Sequence, residues 1–516
     1  MAIGRPTRDY DPSLPDAPTV VHAFADTVRR VPDRDAIICG ERRLTYRQYF
    51  AAVAGYASRL GARGVAGERV ALLMPNSIEV AVAALAGMAA RAQIALLNAS
   101  FPPKALAPLL ADVEATVLVC SAGTEALGRA VAAEVGVPHV DVFGSGGLSL
   151  EAWTEDPEPA LPEPLPSPED RSLIFFTGGT TGIPKGADHV HANDMAYARA
   201  ANTVWPLERD EDVVLMVAPN FHIWGFCYAV VTPVFLGATV DYLPAYQPEL
   251  ILRRFVESRV TVFAGGPAAL YVGLMANEHF AATDFSNLRL CLAGGSPCPE
   301  ALLARWEAAT GCPIMEGWGM SEGSPINLNP LDGPRKAGSV GPMLPRTEID
   351  IVDLETGAEV LPQGATGEVR VRGPQFITGY RNRPEENAQS FRDGWLYTGD
   401  VGRFDEDGYL YLVDRKKEMI LVGGYNVYPR EIDEVLQRHP AVMEAAAVGI
   451  PDDFRGETVK ACIALNPGAS AGEEELLAHC REHLVKYKLP TVFEFHAALP
   501  KTGPGKIDKL KLKGER

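Results

Sequence analysis

The stretch FFTGGTTGIPKG, Phe175 to Gly186, joins a short apolar run to a loop of glycines, threonines and one lysine. Small residues let backbone N–H groups come close to an anion, so a loop of this composition suits phosphate. The commonest phosphate loop has the spacing G-x-x-x-x-G-K-[ST]. Here no two glycines stand five apart with a lysine after the second. The chemistry is that of a nucleotide site, and the spacing excludes that class. Three threonines interleaved with three glycines and closed by Pro-Lys-Gly also argue against a mere surface turn.

Around this loop the chain alternates between strands and helices. RVALLMP (69–75) reads as a buried strand, SIEVAVAALAGMAARA (77–92) as a helix and QIALLN (93–98) as the next strand. That spacing predicts a largely parallel α/β sheet. The six prolines of EDPEPALPEPLPSPED (155–170) predict an extended surface segment leading into SLIFF and the loop. TVFAGGP and LRLCLAGGSP each end a β-run in paired glycines, and after about residue 340 EIDIVD, GEVRVRG and GYLYLVD read as hairpin-like β-structure. Beyond the charged DRKKE lies a small α/β unit: helix 430–438, strands 443–450 and 458–465, helix 472–485 and strand 491–496. A single core rarely grows beyond about 300 residues. The 516 residues are therefore divided at that charged turn, into 1–416 and 417–516.

Composition narrows the function. Hydrophobic residues make up 47% and charged residues 22%, which is globular. A net charge of −18 argues against a general nucleic-acid binder but not against ATP or coenzyme A. The eight cysteines include no C-x-x-C pair, which predicts reduced, buried thiols of a cytoplasmic protein. His189 and His191 lack the partners of a structural zinc site. The N-terminus shows no signal peptide. The most apolar window, EVAVAALAGMAARAQIALL, is broken by Arg91 and reads as helix plus strand rather than a membrane span. Peripheral membrane contact and a homodimer both stay open.

Three further segments carry chemistry. MEGWGMSEG (315–323) contains G-x-S-x-G at Gly319 to Gly323, the nucleophile-elbow pattern of serine hydrolases. That reading needs a helix directly after Ser321, whereas Pro325 and NLNPLDGP read as loop; it also needs an upstream oxyanion motif, which is missing. DGWLYTGD (393–400) and the following DRKKE offer Asp400 and Arg415, an acid and a base able to grip a ribose diol and a phosphate, or simply a surface ion pair. LPKTGPGKI (499–507) presents Lys506 on a loop of two glycines and two prolines, within a tail holding six Lys and Arg from 501 to 516.

In this order, TGGTTGIPKG, GWGMSEGSP, GPQFITGY and DRKKEMILVGGYNVYPREI resemble the adenylate-forming superfamily of acyl-CoA synthetases, nearest in look to fatty-acyl-CoA ligases. The resemblance runs from about residue 20 to residue 510. It implies a large N-terminal domain of layered α/β sheets plus a β-rich subdomain, and a small mobile C-terminal α/β domain. It implies that Thr177, Gly178, Gly179, Thr180, Thr181, Gly182 and Lys185 hold the ATP phosphates. Gly294 and Gly295 pass near the nucleotide, Trp318 stacks on adenine, Ser321 meets the α-phosphate and Glu322 binds Mg²⁺. Asp400 takes the ribose hydroxyls with Arg415, Lys417 is the hinge and Lys506 the catalytic lysine. Trp318 replaces the commoner Tyr, Ser321 replaces Thr, and Asp508 stands where Arg often follows. His222, Phe226 and Gly265 fall on the acyl path, and Gly423 and Gly424 on the thiol path.

Amino-acid-activating relatives carry an Asp where this chain has His222, which disfavours an α-amino substrate. The small side chains of FAGGPAAL (263–270) leave room for a chain. The implied reaction joins a carboxylic acid, a medium- or long-chain fatty acid, to coenzyme A through acyl-AMP. An aryl acid is the runner-up. The serine hydrolase and a nucleotide-binding regulatory module without turnover are the readings from other classes.

Overall fold

Helix Ile78–Ala89 shows why the molecule is layered. Every residue of it except Glu79 is buried, and a helix apolar all round has to be covered on all sides. The computed structural model describes residues 9–144, 148–177, 184–296, 298–452, 454–501 and 507–514. In it this helix touches strands of two different sheets.

One sheet has six strands in the order His139–Phe143, Val117–Ser121, Arg69–Leu73, Gln93–Leu96, Arg171–Thr177 and Lys185–Val190. All neighbours are parallel except the last pair. The other has eight strands, in the order Gly323–Leu328, Ile314–Met320, Leu290–Ala293, Val262–Gly266, Val213–Met216, Thr239–Tyr242, Asp35–Cys39 and Arg42–Thr45. It is parallel apart from an antiparallel pair at each end.

Alternation along each strand sorts the cores. Val70, Leu72, Val214 and Met216 face the shared middle with helices Tyr46–Gly61, Ile78–Ala89 and His191–Val204. Ala71 and Leu73 point outward, to Leu106 and Leu110 of helix Pro103–Val113. Leu215 and Val217 point outward as well, to Ile251, Tyr271 and Trp306. Five layers result, helix–sheet–helix–sheet–helix, the layered α/β fold expected from the sequence.

The described residues fall into two compact units: residues up to 348 with 372–396, and 349–371 with 397 onward. The second unit holds the β-rich strands ending in Leu410–Arg415 and a five-stranded sheet built on Val442–Asp452 and Gly456–Leu465. Helices Pro429–Gln437 and Glu473–His483 cover one face of that sheet. Compactness thus draws its line elsewhere than at 416/417, and the reason is local. Asp414 Oδ2 accepts from the Arg430 amide at 2.8 Å, and Arg430 donates to the Leu412 carbonyl at 2.8 Å, which ties strand Leu410–Arg415 to the first C-terminal helix. The segment 155–170 holds no regular strand or helix, as its prolines require. All eight cysteines are free thiols, and all but Cys39 are buried. No described helix is long and apolar enough to cross a membrane.

Candidate active site

Thr177 and Lys185 are direct partners at the open end of the antiparallel pair Arg171–Thr177 and Lys185–Val190. The phosphate-type segment is therefore flanked by two antiparallel strands, not by the strand and helix of the commoner class. Gly178, Gly179, Thr180, Thr181 and Gly182 lie outside the described residues, as does Lys506. Thr177 Oγ1 is buried without a hydrogen-bond partner among the described residues. Lys185 Nζ sits 4.2 Å from the centroid of the Tyr380 ring. The Tyr380 hydroxyl donates to Glu322 Oε1 at 2.6 Å.

These three residues come together through backbone pairing. Ala187 bridges to Tyr380, the Arg381 amide donates to the Gly186 carbonyl at 2.9 Å, and the Ile377 amide to the Glu322 carbonyl at 2.9 Å. A buried carboxylate, a lysine and an aromatic hydroxyl thus meet at the open end of this strand pair. Tyr380 carried no assigned role in the sequence reading, although it closes the quoted segment GPQFITGY.

Ser321 occupies the turn between strands Ile314–Met320 and Gly323–Leu328, where Met320 pairs with Gly323. The residues after it form a strand, not the loop read from NLNP and not the helix that a nucleophile elbow requires. The imidazole of His189 is committed as well. Its Nε2 lies 2.7 Å from the Ser321 carbonyl oxygen, to which it donates, and burial holds its pKa down at about 4. The neutral ring serves the Ser321 backbone rather than its hydroxyl. This geometry gives no support to the serine-hydrolase reading. Trp318 stands half-buried on the same hairpin, paired with Asn327.

Gly294 directly follows the strand Leu290–Ala293, which pairs with this hairpin. A Cβ there would come 3.2 Å from the Gly317 carbonyl oxygen and 3.4 Å from the Trp224 ring, so any side chain would have to push its neighbours back by a few tenths of an ångström. The Trp224 indole donates to the Ala264 carbonyl at 3.3 Å, beside Gly266 of the FAGGPAAL segment. His222 caps the short helix Ile223–Phe226, its Nδ1 accepting from the Trp224 amide at 3.3 Å. Phe226 is 1% exposed and packs on Phe175 at 6.0 Å, a core residue rather than a visible wall. Gly265 lies against Phe263 and Tyr271.

In the second unit, Asp400 and Arg415 are direct partners in the antiparallel register and form an ion pair of 2.6 Å. Asp400 is buried, and its amide donates to Thr398 Oγ1 at 3.0 Å. Lys417 lies in a single turn of 3₁₀-helix, Lys416–Glu418. Gly423 and Gly424 are the two loop residues of the hairpin in which Val422 pairs with Tyr425, both at positive φ (57° and 84°).

A hard dication such as Mg²⁺ takes oxygen ligands, keeps several waters and binds through one or two carboxylates plus substrate phosphates. Glu322, 6% exposed with a neutral hydroxyl as its partner, fits such an ion.

Residues 24–381 match the family model of AMP-binding enzymes, and residues 431–506 match that of the AMP-binding enzyme C-terminal domain. A long-chain-fatty-acid–CoA ligase of Bacillus subtilis is 33% identical over 96% of this chain and 94% of its own length. ATP-bound MatB from Rhodopseudomonas palustris superposes with a TM-score of 0.88 at 31% identity, covering 96% of this chain and 98% of that one. The anthranilate CoA ligase AuaEII, in complex with anthranoyl-AMP, gives 0.89 at 29% identity, over 97% and 98%. Both family models in order, and relatives at about a third identity over nearly the whole length, place the chain in the AMP-binding enzyme family, as an acid–CoA ligase acting through an adenylate.

Proposed function

We propose that the chain activates a medium- or long-chain fatty acid with ATP to acyl-AMP and pyrophosphate, and then passes the acyl group to coenzyme A. The observation that carries the reading is the meeting of Glu322, Tyr380 and Lys185 at the open end of the strand pair that flanks the Gly/Thr-rich segment. A carboxylate attacks the α-phosphorus only if the charge gathering on both reactants is offset. Lys185 and Thr177 take the phosphate oxygens, with the loop amides between them. Tyr380 holds Glu322 in the orientation that receives a cation. Mg²⁺, when bound at Glu322, supplies neutralising charge on the phosphates. Ser321 reaches the α-phosphate from the hairpin turn, and Trp318 offers its face to the adenine. Asp400, steadied by Arg415, takes the ribose. Lys506 meets the oxygens on which charge develops. The thiol then attacks the mixed anhydride and releases AMP, with the turn at Gly423 and Gly424 bordering its path. Residues 417–516 move as the C-terminal domain, with Lys417 at the hinge.

A second reading has its own support. The Trp224 indole, bonded to the Ala264 carbonyl, lies beside the FAGGPAAL segment, and an aromatic ring there suits a planar aryl acid. A panel of acids decides. Each buried CH₂ is worth about 0.8 kcal/mol, so kcat/KM should climb with chain length until the pocket is full. A benzoate or cinnamate that outruns every fatty acid of the panel would establish the aryl reading instead.

A further inference from the structure

The C-terminal sheet has a second face that the proposed reaction leaves unused. Ala446, Val448, Cys462 and Ala464 form it, and Leu499, Ile507 and Leu512 pack onto it. At its edge the parallel register sets Cys462 opposite Glu494 and Ala464 opposite His496. Side chains alternate along a strand, so Cys462, Glu494 and His496 point to the same side. One ligand atom from each, a thiol sulphur, a carboxylate oxygen and an imidazole nitrogen, lies within 4.8 Å of the other two. His496 Nε2 is buried and makes no hydrogen bond among the described residues, although Glu494 Oε1 stands 3.1 Å away. The other oxygen, Oε2, is held by Lys460 at 2.9 Å.

We propose that Cys462, Glu494 and His496 form a binding site for a borderline-soft divalent ion of the zinc type, with solvent completing the tetrahedron. The donor set decides the class. Sulphur and imidazole favour zinc and its neighbours, whereas Mg²⁺ takes oxygen alone, so this is not the ion of the adenylating site. Three protein ligands and one solvent position are the ligand count of an open zinc site. The carboxylate is shared by geometry: Oε1 faces His496, while Lys460 on Oε2 fixes its orientation, as outer partners of metal ligands do. The thiolate is the zinc ligand, so the ion binds by displacing the thiol proton to solvent and supplying the charge that stabilises the thiolate. Entry is from the edge, where Glu494 is exposed and His496 partly so.

Cobalt(II) added to the chelator-treated, full-length protein tests this. The expected result is one ion per chain with a near-ultraviolet thiolate-to-cobalt charge-transfer band, displaced by Zn²⁺ and absent from Cys462→Ser. His496→Ala, a change at the partly exposed edge that keeps the core intact, should retain the fold and weaken binding at least roughly tenfold, the loss that even an outer partner causes. Cobalt bound without a charge-transfer band, as at the trio His479, Glu482 and His483 on the neighbouring helix, would overturn the proposal. So would a band that survives in Cys462→Ser, unchanged affinity in His496→Ala, or no cobalt binding at all.

Discussion

Glu322 is a nearly solvent-free carboxylate that accepts from the Tyr380 phenol, and Tyr380 also carries the Lys185 ammonium on its ring. Glu322→Gln keeps the shape and removes the charge. Acid-dependent pyrophosphate release should fall by a few orders of magnitude, because metal charge stabilisation is worth several kcal/mol. Near-normal release would remove Glu322 from the mechanism. Tyr380→Phe deletes one hydrogen bond to a charged group, about 1.5–3 kcal/mol. A fall of roughly ten- to a hundredfold in kcat/KM is expected, with the fold intact by circular dichroism.

A second residue-scale outcome concerns Asp194, which is fully desolvated on helix His191–Val204, so that burial raises its carboxyl to about 7. Its folded pKa thus exceeds its unfolded value of 3.8. Between about pH 4 and 7 the folded chain binds the extra proton, so this contribution is complete below pH 4 and is lost as pH rises through 7. Asp194→Asn does not titrate. The stability of the wild type relative to this variant should decline by about 1.4 kcal/mol per pH unit inside that window and level off above it. Denaturant melts of both proteins from pH 5 to 9 measure it, and a pH-independent difference would show that Asp194 is ionised in the fold.

At the scale of elements, the hairpin Ile420–Val427 turns through two glycines at positive φ, the requirement of a type I′ turn. Alanine at Gly423 or Gly424 meets no neighbouring atom but must adopt the left-handed region, at about 1 kcal/mol each. Gly424→Ala should therefore slow thioester formation from supplied acyl-adenylate more than it slows adenylate formation. Equal slowing of both half-reactions would detach this turn from the thiol path.

The elements themselves were largely legible in the sequence. RVALLMP, QIALLN and SLIFF announced their strands, because central parallel strands are buried on both faces and read as continuous apolar runs. The fully buried helix 78–89 was legible for the same reason. The strand Gly323–Leu328 was hidden by Pro325 and two asparagines, which mimic loop composition; Asn327 sits fully buried and satisfies the Gly341 carbonyl instead. The Tyr380–Glu322 contact was not legible either, since 58 residues separate the partners and it takes tertiary backbone pairing, Ala187 with Tyr380 and Ile377 with Glu322, to bring them together. Asp400 and Arg415 were singled out as a pair, and the antiparallel register that makes them neighbours follows from the hairpin pattern of their strands.

At the scale of the whole molecule, the proposed function gives one site two chemistries, and it assigns Lys506 to the first and the Gly423–Gly424 turn to the second. Lys506→Ala is expected to abolish acyl-adenylate formation and leave thioester formation from supplied acyl-adenylate largely intact. Lys417→Pro, which fixes φ at the hinge, should do the reverse if it locks the adenylating arrangement. Assaying the two half-reactions separately for both variants checks this. Equal damage to both by Lys506→Ala would make that lysine structural.

The central claim is that a carboxylic acid is activated as its adenylate before any thiol is engaged. Exchange of labelled pyrophosphate into ATP, measured with Mg²⁺ and fatty acid but without coenzyme A, tests it most directly. The expected result is exchange that depends on the acid, falls sharply in Glu322→Gln, and gives way to AMP and acyl-CoA once coenzyme A is added. ATP turnover to ADP, exchange indifferent to every acid offered, or cleavage of a nitrophenyl ester without ATP would contradict it.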